Sequence, residues 1–210
     1  PRYSPDGKYI GFLHSAEGES TQVWFMNAEG GEISKLSSAP GGVSYFRWQP
    51  GKNGIAYLSK SPATEKEKEL KERGYGFIYY EENLKNHELF LAEFDNNWEQ
   101  TSVKKLSEGV QTWDFEFDSN GSTIAATITP ENLIDQKYML RRIYLVDLET
   151  GERRQISKNE GKLGNYQFSP DGTHLTYAAA LNLNDHAVSQ AFVVEIASGL
   201  VGVVVGYVRM

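Results

Sequence analysis

Apolar and polar positions alternate in short runs along this chain. Tyr9-Ile10-Gly11-Phe12, Gln22-Val23-Trp24-Phe25-Met26, Arg142-Ile143-Tyr144-Leu145-Val146 and Ala191-Phe192-Val193-Val194 are typical. Val, Ile, Tyr, Phe and Trp fill the runs, and Gly, Pro, Asn and Asp separate them. Alternation with period two and β-branched or aromatic residues predicts strands, and the separators predict tight turns. One stretch breaks the pattern. Glu65-Lys66-Glu67-Lys68-Glu69-Leu70-Lys71-Glu72-Arg73 places Glu67 before Lys71 and Glu69 before Arg73 at i,i+4, which predicts a short exposed helix.

The strands come in a repeat. Tyr3-Ser4-Pro5-Asp6-Gly7-Lys8-Tyr9-Ile10 recurs as Phe168-Ser169-Pro170-Asp171-Gly172-Thr173-His174-Leu175. Degenerate copies are Trp48-Gln49-Pro50-Gly51-Lys52-Asn53-Gly54-Ile55 and Phe117-Asp118-Ser119-Asn120-Gly121-Ser122-Thr123-Ile124. Pro5, Pro50, Ser119 and Pro170 mark the same place, with gaps of 45, 69 and 51 residues. Pro presets φ for the first central position of a type I turn, Asp bonds the backbone ahead, and Gly takes the left-handed position that closes the hairpin. Each copy is followed by a further strand, a Gly-containing turn and a last strand, as in Gln22–Met26 then Glu29-Gly30-Gly31-Glu32, and Arg142–Asp147 then Glu149-Thr150-Gly151-Glu152.

Four antiparallel strands at a period of about 40 to 50 residues describe a β-propeller blade. The expected fold is therefore all-β: a single partial propeller of about four blades, near 1–38, 39–108, 109–159 and 160–210. A short helical insertion lies in the second. A β-sandwich with recurring hairpins is the weaker alternative. The visible blades do not close a ring, so the chain reads as a piece of something longer, with open edges prone to pairing in isolation. The apolar tail Leu200–Val208 could supply the fourth strand of the last blade or patch an exposed edge.

Composition narrows the function classes. Lys and Arg number 21 against 28 Asp and Glu, a formal charge of −7. That speaks against a nucleic-acid or anionic-membrane surface. With no Cys, disulfides, thiolate metal sites and Cys nucleophiles are excluded. The longest apolar stretch falls well short of the roughly 20 residues of a membrane-spanning helix. The compartment stays open, with cytoplasmic favoured over periplasmic.

No Gly-x-Ser-x-Gly elbow, P-loop, Rossmann glycine run or His-Glu-x-x-His is present. His14, His87, His174 and His186 share no metal-ligand spacing, so no metal or cofactor is expected. Asp95-Asn96-Asn97, Asp118-Ser119-Asn120-Gly121 and Asn182-Leu183-Asn184-Asp185 lack the ligand pattern of an EF-hand and read as turns. Trp113-Asp114 opens a first strand, unlike the dipeptide that closes the third strand of a WD repeat.

Tyr3–Lys8 through Glu29-Gly30-Gly31-Glu32 and Lys35-Leu36 resembles the PD40 or TolB-type propeller repeat. Within that group the chain most resembles the N-terminal propeller of the prolyl oligopeptidase family, in its acylaminoacyl-peptidase branch. The residues that carry this are Gly30-Gly31-Glu32 with Lys35-Leu36, Gly42-Val43 and Trp48, the charged insertion ahead of His87-Glu88-Leu89-Phe90-Leu91, and Phe168–Gly172 with Tyr177-Ala178-Ala179. The resemblance implies a non-catalytic domain that gates short peptides and lines part of a substrate cavity. Its partner would be an α/β-hydrolase domain of the same parent chain, which would hold the Ser-Asp-His triad. Some dipeptidyl members hold the substrate's amino terminus with a propeller Glu pair, and Glu81-Glu82 is the adjacent Glu pair here. The alternative is a TolB-like propeller that acts as a protein-binding scaffold. A propeller lyase or glycosidase would need an inward carboxylate or His cluster that the sequence does not display.

Overall fold

The computed structural model describes residues 1–76, 84–184, 187–188 and 190–204. The strands form four antiparallel four-stranded sheets, each in simple sequence order. The first holds β1 (Arg2–Tyr3), β2 (Tyr9–His14), β3 (Gln22–Asn27) and β4 (Ser34–Lys35). The second holds β5 (Val43–Trp48), β6 (Gly54–Lys60), β7 (His87–Phe94) and β8 (Gln100–Lys105), with helix α1 (Glu65–Glu72) between β6 and β7. The third holds β9 (Gln111–Phe117), β10 (Thr123–Thr129), β11 (Arg142–Asp147) and β12 (Arg153–Gln155). The fourth holds β13 (Leu163–Phe168), β14 (His174–Ala179), β15 (Gln190–Glu195) and β16 (Val201–Val204). β16 pairs with β15, so the first part of the apolar tail is a fourth strand.

Two compact units divide the chain. One comprises Pro1–Val110 with Glu131–Leu133, and the other Gln111–Pro130 with the residues from Ile134 onward. In the first unit Val23, Phe25, Phe46, Trp48, Ile55, Tyr57 and Phe94 belong to one core. In the second, Ile143, Leu145, Phe168, Leu175, Tyr177 and Val194 do the same. The second motif strand meets the third through a cross-strand pair at a repeating place: Phe12 with Trp24, Tyr57 with Phe90, Ala126 with Tyr144, Tyr177 with Phe192. Two of these pairs stack, at 5.4 Å and 11° for Tyr57–Phe90 and 4.9 Å and 12° for Tyr177–Phe192, which adds to the area they bury.

The motif turns have the expected chemistry. Gly7 N–H donates to the Ser4 carbonyl and Gly172 N–H to that of Ser169, both at 2.9 Å. Both glycines are left-handed, at φ 72° and 70°. Ser4 Oγ donates to Asp6 Oδ1 at 2.7 Å while accepting from Tyr9 N–H at 2.9 Å. Ser169 repeats this with Asp171 at 2.5 Å and His174 N–H at 3.0 Å. In the third sheet Asp118 does both jobs, accepting from Ser122 N–H at 2.8 Å and Thr123 N–H at 3.0 Å. The second sheet departs from the motif. Gly51, at the Asp position, is the left-handed residue (φ 69°). Pro followed by a left-handed Gly is the type II arrangement.

A second repeat closes the outer edges of the first three sheets. Ser37, Ser107 and Ser157 follow strand four as Leu36-Ser37, Leu106-Ser107 and Ile156-Ser157. Their hydroxyls accept from Val23, Leu89 and Ile143 N–H at 2.8, 2.7 and 2.9 Å. All three of those strand-three residues are fully buried. The residue just before each then holds the chain leaving the sheet. Gln22 Nε2 donates to the Ala39 carbonyl, Glu88 Oε1 accepts from Gly109 N–H, and Arg142 donates to the Glu160 carbonyl. Three different side chains do one task.

Candidate functional site

Each sheet has two unlike ends. At one lie the motif turn and the turn between strands three and four. At the other lie the loop between strands two and three and the chain arriving from the previous sheet. The turn ends are short, although the one between β7 and β8 carries a register break at Glu93/Phe94 and Trp98 at φ 64°. The loop ends carry α1, a π-turn at Gln136–Leu140 and three register breaks.

These three register breaks fall at equivalent places, unlike the one in β7–β8. Val43 pairs with Ser59 and Tyr45 with Leu58, leaving Ser44 as the extra residue. Thr112 pairs with Ile128 and Asp114 with Thr127, leaving Trp113. Leu163 pairs with Ala179 and Tyr166 with Tyr177, so Gly164 and Asn165 face Ala178 alone. A bulge re-aims the side chain it carries. Here the first strands of three sheets each bulge within three residues of the loop end.

In the second unit the bulge of β9 adjoins a polar cluster. Asp114 receives Tyr166 Oη–H at 2.6 Å on one oxygen and Arg141 Nη1 at 3.2 Å on the other. Arg141 Nη2 donates to the Leu163 carbonyl at 2.9 Å, and its buried Nε has no partner among the described residues. Lys137 lies over Trp113 at 5.4 Å, and Trp113 Nε1 donates to Thr129 Oγ1 at 2.9 Å. Glu116 accepts from Phe168 N–H at 3.0 Å, a second tie between the third and fourth sheets. Exposed apolar residues crowd these same loops: Ile134, Tyr138 and Leu140 in one, Leu181, Leu183 and Val188 in the other.

In the first unit the insertion is tied down rather than loose. Thr64 and Glu67 form a capping box at the start of α1. Glu67 is bound by Lys85 Nζ at 2.6 Å, and Lys85 also donates to the Pro62 carbonyl at 2.7 Å. These contacts, with the Thr64 N–H bond, hold the Glu67 carboxyl down to about 2. The expected Glu67–Lys71 pair is therefore replaced by a longer-range one. Glu69–Arg73 forms as expected, at 3.7 Å, and Glu65 pairs with Lys68 at 2.7 Å.

Glu81 and Glu82 lie outside the described residues, as do Asp185 and His186. His14 ends β2, His87 opens β7 and His174 opens β14. Among the described residues no three His, Asp or Glu side chains gather as a metal site would require. The Asp-Asn runs are turn chemistry: Asp95 Oδ1 accepts from Asn97 and Glu99 N–H, and Asn182 Oδ1 from Asn184 N–H. The motif residues Pro5, Asp6, Gly7, Pro170, Asp171 and Gly172 stand at the turn ends. Sequence reading missed the bulges, the closing serines and the Asp114–Arg141–Tyr166 cluster. The serines had a signal, in Lys35-Leu36-Ser37, Lys105-Leu106-Ser107 and Gln155-Ile156-Ser157. The cluster had none, because its members lie 27 and 52 residues apart.

No family model matches the chain. It is 28% identical over 187 residues to "Uncharacterized peptidase YuxL" of Bacillus subtilis, covering 89% of this chain and 22% of that protein. The putative TolB from Agrobacterium tumefaciens superposes with a TM-score of 0.60 at 13% identity, over 96% of this chain and 62% of that one. By fold, this chain is a set of TolB-type propeller blades. Pyrococcus horikoshii acylaminoacyl peptidase gives 0.57 at 17% identity, over 97% of this chain and 31% of that one. The chain thus spans about a fifth of its curated relative, and less than two thirds of either structure. Its blades are related to those of peptidases.

Proposed function

We propose that these blades are the non-catalytic part of a serine peptidase, gating short peptides and walling part of the substrate cavity. The observation that carries this is the peptidase likeness over 89% of the chain. The loop ends support it, because side chains there depart from the repeat and several apolar residues there stay uncovered. An α/β-hydrolase domain of the same parent chain supplies the triad in this reading. The substrate is a short peptide.

The test uses the parent protein. It should react with a fluorophosphonate probe and cleave short chromogenic peptides much faster than long ones. Deleting residues 64–73 should narrow that length preference while probe labelling persists. A parent without probe labelling or peptidase activity would overturn the proposal. It would favour instead a binding scaffold, the reading that the likeness to the putative TolB supports.

A further inference from the structure

One side chain stands where its turn elsewhere holds glycine. Between β11 and β12 the Glu152 carbonyl accepts from Asp147 N–H at 3.0 Å, and the residue before Glu152 is Gly151, at φ 78°. Between β15 and β16 the Leu200 carbonyl accepts from Glu195 N–H at 3.0 Å, and Gly199 precedes it at φ 70°. Between β7 and β8 the Glu99 carbonyl accepts from Asp95 N–H at 3.0 Å in the same way. The residue before Glu99 is Trp98, at φ 64°, the one non-glycine residue at positive φ among the described residues. A bulky side chain is strained there, because its Cβ crowds the following carbonyl. A return to negative φ relieves that strain but swings the ring away from its neighbours.

Those neighbours come from both of the first two sheets, which share one compact unit. The Trp98 ring lies 5.0 Å from Tyr9 and 5.1 Å from Phe25 in the first sheet. It lies 5.6 Å from Trp48 and 5.9 Å from Phe94 in the second. The Tyr9 and Trp48 contacts are edge-to-face, both at 73°, a favourable arrangement of rings. A turn of the second sheet thus sends its ring into the first. Packing does not enclose the ring on every side. A recess of about 260 Å³ adjoins it, lined by Ser4, Pro5 and Asp6 from one sheet and Gly51, Lys52 and Asn53 from the other. The ring has room to withdraw.

We propose that Trp98 is a latch across the seam between the first two sheets. The backbone strain persists only while the ring sits among Tyr9, Phe25, Trp48 and Phe94, and withdrawal of the ring into the recess frees the first sheet. Strain and ring contacts pull in opposite directions, which gives this seam a latched and an unlatched state. The inference is independent of the peptidase reading.

The test is amide hydrogen exchange on the full chain and on Trp98→Gly, which removes the ring and gives the turn its relaxed residue. Ser4 N–H and Ala28 N–H, bonded to the Tyr9 and Lys8 carbonyls, report on the first sheet. Both should exchange about tenfold faster in the variant. Ser169 N–H, the counterpart of Ser4 in the fourth sheet, should keep its rate. Unchanged rates at Ser4 and Ala28 overturn the proposal, because the ring then secures nothing. Equal acceleration at Ser169 also overturns it, because the ring is then general packing. Trp98→Ala tests the strain, since it drops the ring but keeps a Cβ at the left-handed position. Its melting midpoint should lie about 3 °C below that of Trp98→Gly. A midpoint at or above that of Trp98→Gly removes the strain and with it the latch. If Trp98→Gly does not fold, Trp98→Phe, which keeps a smaller ring, decides by the same exchange criteria.

Discussion

The two ends of each sheet solve different problems. The turn ends satisfy their own backbone: Ser4, Asp6 and Gly7 close one hairpin with bonds inside six residues, and Ser169, Asp171 and Gly172 close another identically. The loop ends are held by contacts between distant parts of the chain, such as Lys85 with Glu67 or Arg141 with Asp114. A repeat fold can vary an end only where local bonds do not already fix it. The contrast predicts that damage at the loop ends and closing edges exceeds damage at the motif turns.

The largest effect should come from Gly41→Ala. The added methyl would meet backbone, not a flexible side chain. The strand end or the linker must move, at a cost of about 3 kcal/mol. Urea denaturation should show this as a lower midpoint. A shift below about 1 kcal/mol would mean that the linker yields freely. Ser107→Ala comes next. It strands the Leu89 N–H, which is fully buried, so the loss should be about 2 kcal/mol. The matching change at Ser169, whose hydroxyl is exposed, should cost far less. Equal losses at Ser107 and Ser169 would break the comparison.

Gly172→Ala probes the turn end itself. The position is left-handed and nothing crowds it within 3.5 Å, so only backbone strain acts, at about 1 to 2 kcal/mol. Gly51→Ala should cost a similar amount, because Gly51 carries the left-handed φ of its own turn.

Much of the turn end was legible in sequence, for a physical reason. Pro5-Asp6-Gly7 and Pro170-Asp171-Gly172 specify their hairpins through residues that touch one another, so a short window contains the whole interaction. The second-sheet copy was harder, because Gly51 moved the left-handed position by one place and changed the turn type. α1 was visible from its charge spacing, but Glu67 chose Lys85 over Lys71, because Lys85 approaches from outside the helix. The Asp114–Arg141–Tyr166 cluster and the bulges at Ser44 and Trp113 depend on register between strands, which no local window records. The closing serines lay between these extremes. Their three-residue signature was present, yet it acquires meaning only once strand three is known to pass alongside.

The smallest effect separates local from distant bonding by pH. Asp171 accepts from Ser169 Oγ, Thr173 N–H and Thr173 Oγ1, and these bonds hold its carboxyl down to about 2. A carboxyl whose pKa is lower folded than unfolded binds protons more readily in the unfolded chain. Its contribution is therefore complete above the ordinary Asp value of 3.8 and fades as pH falls from there through about 2. Asn at this position keeps an acceptor oxygen for the turn but cannot titrate. Melting temperatures of the parent chain and Asp171→Asn, taken from pH 5 to pH 2, should converge as the solution becomes more acid. Asp6→Asn should converge in the same direction, since Asp6 is also lowered, first by Ser4 and then by Lys8. Solvent screens both sites, so each convergence should be small. Parallel curves for both variants would show that the turn bonds do not discriminate between the charged and neutral carboxyl.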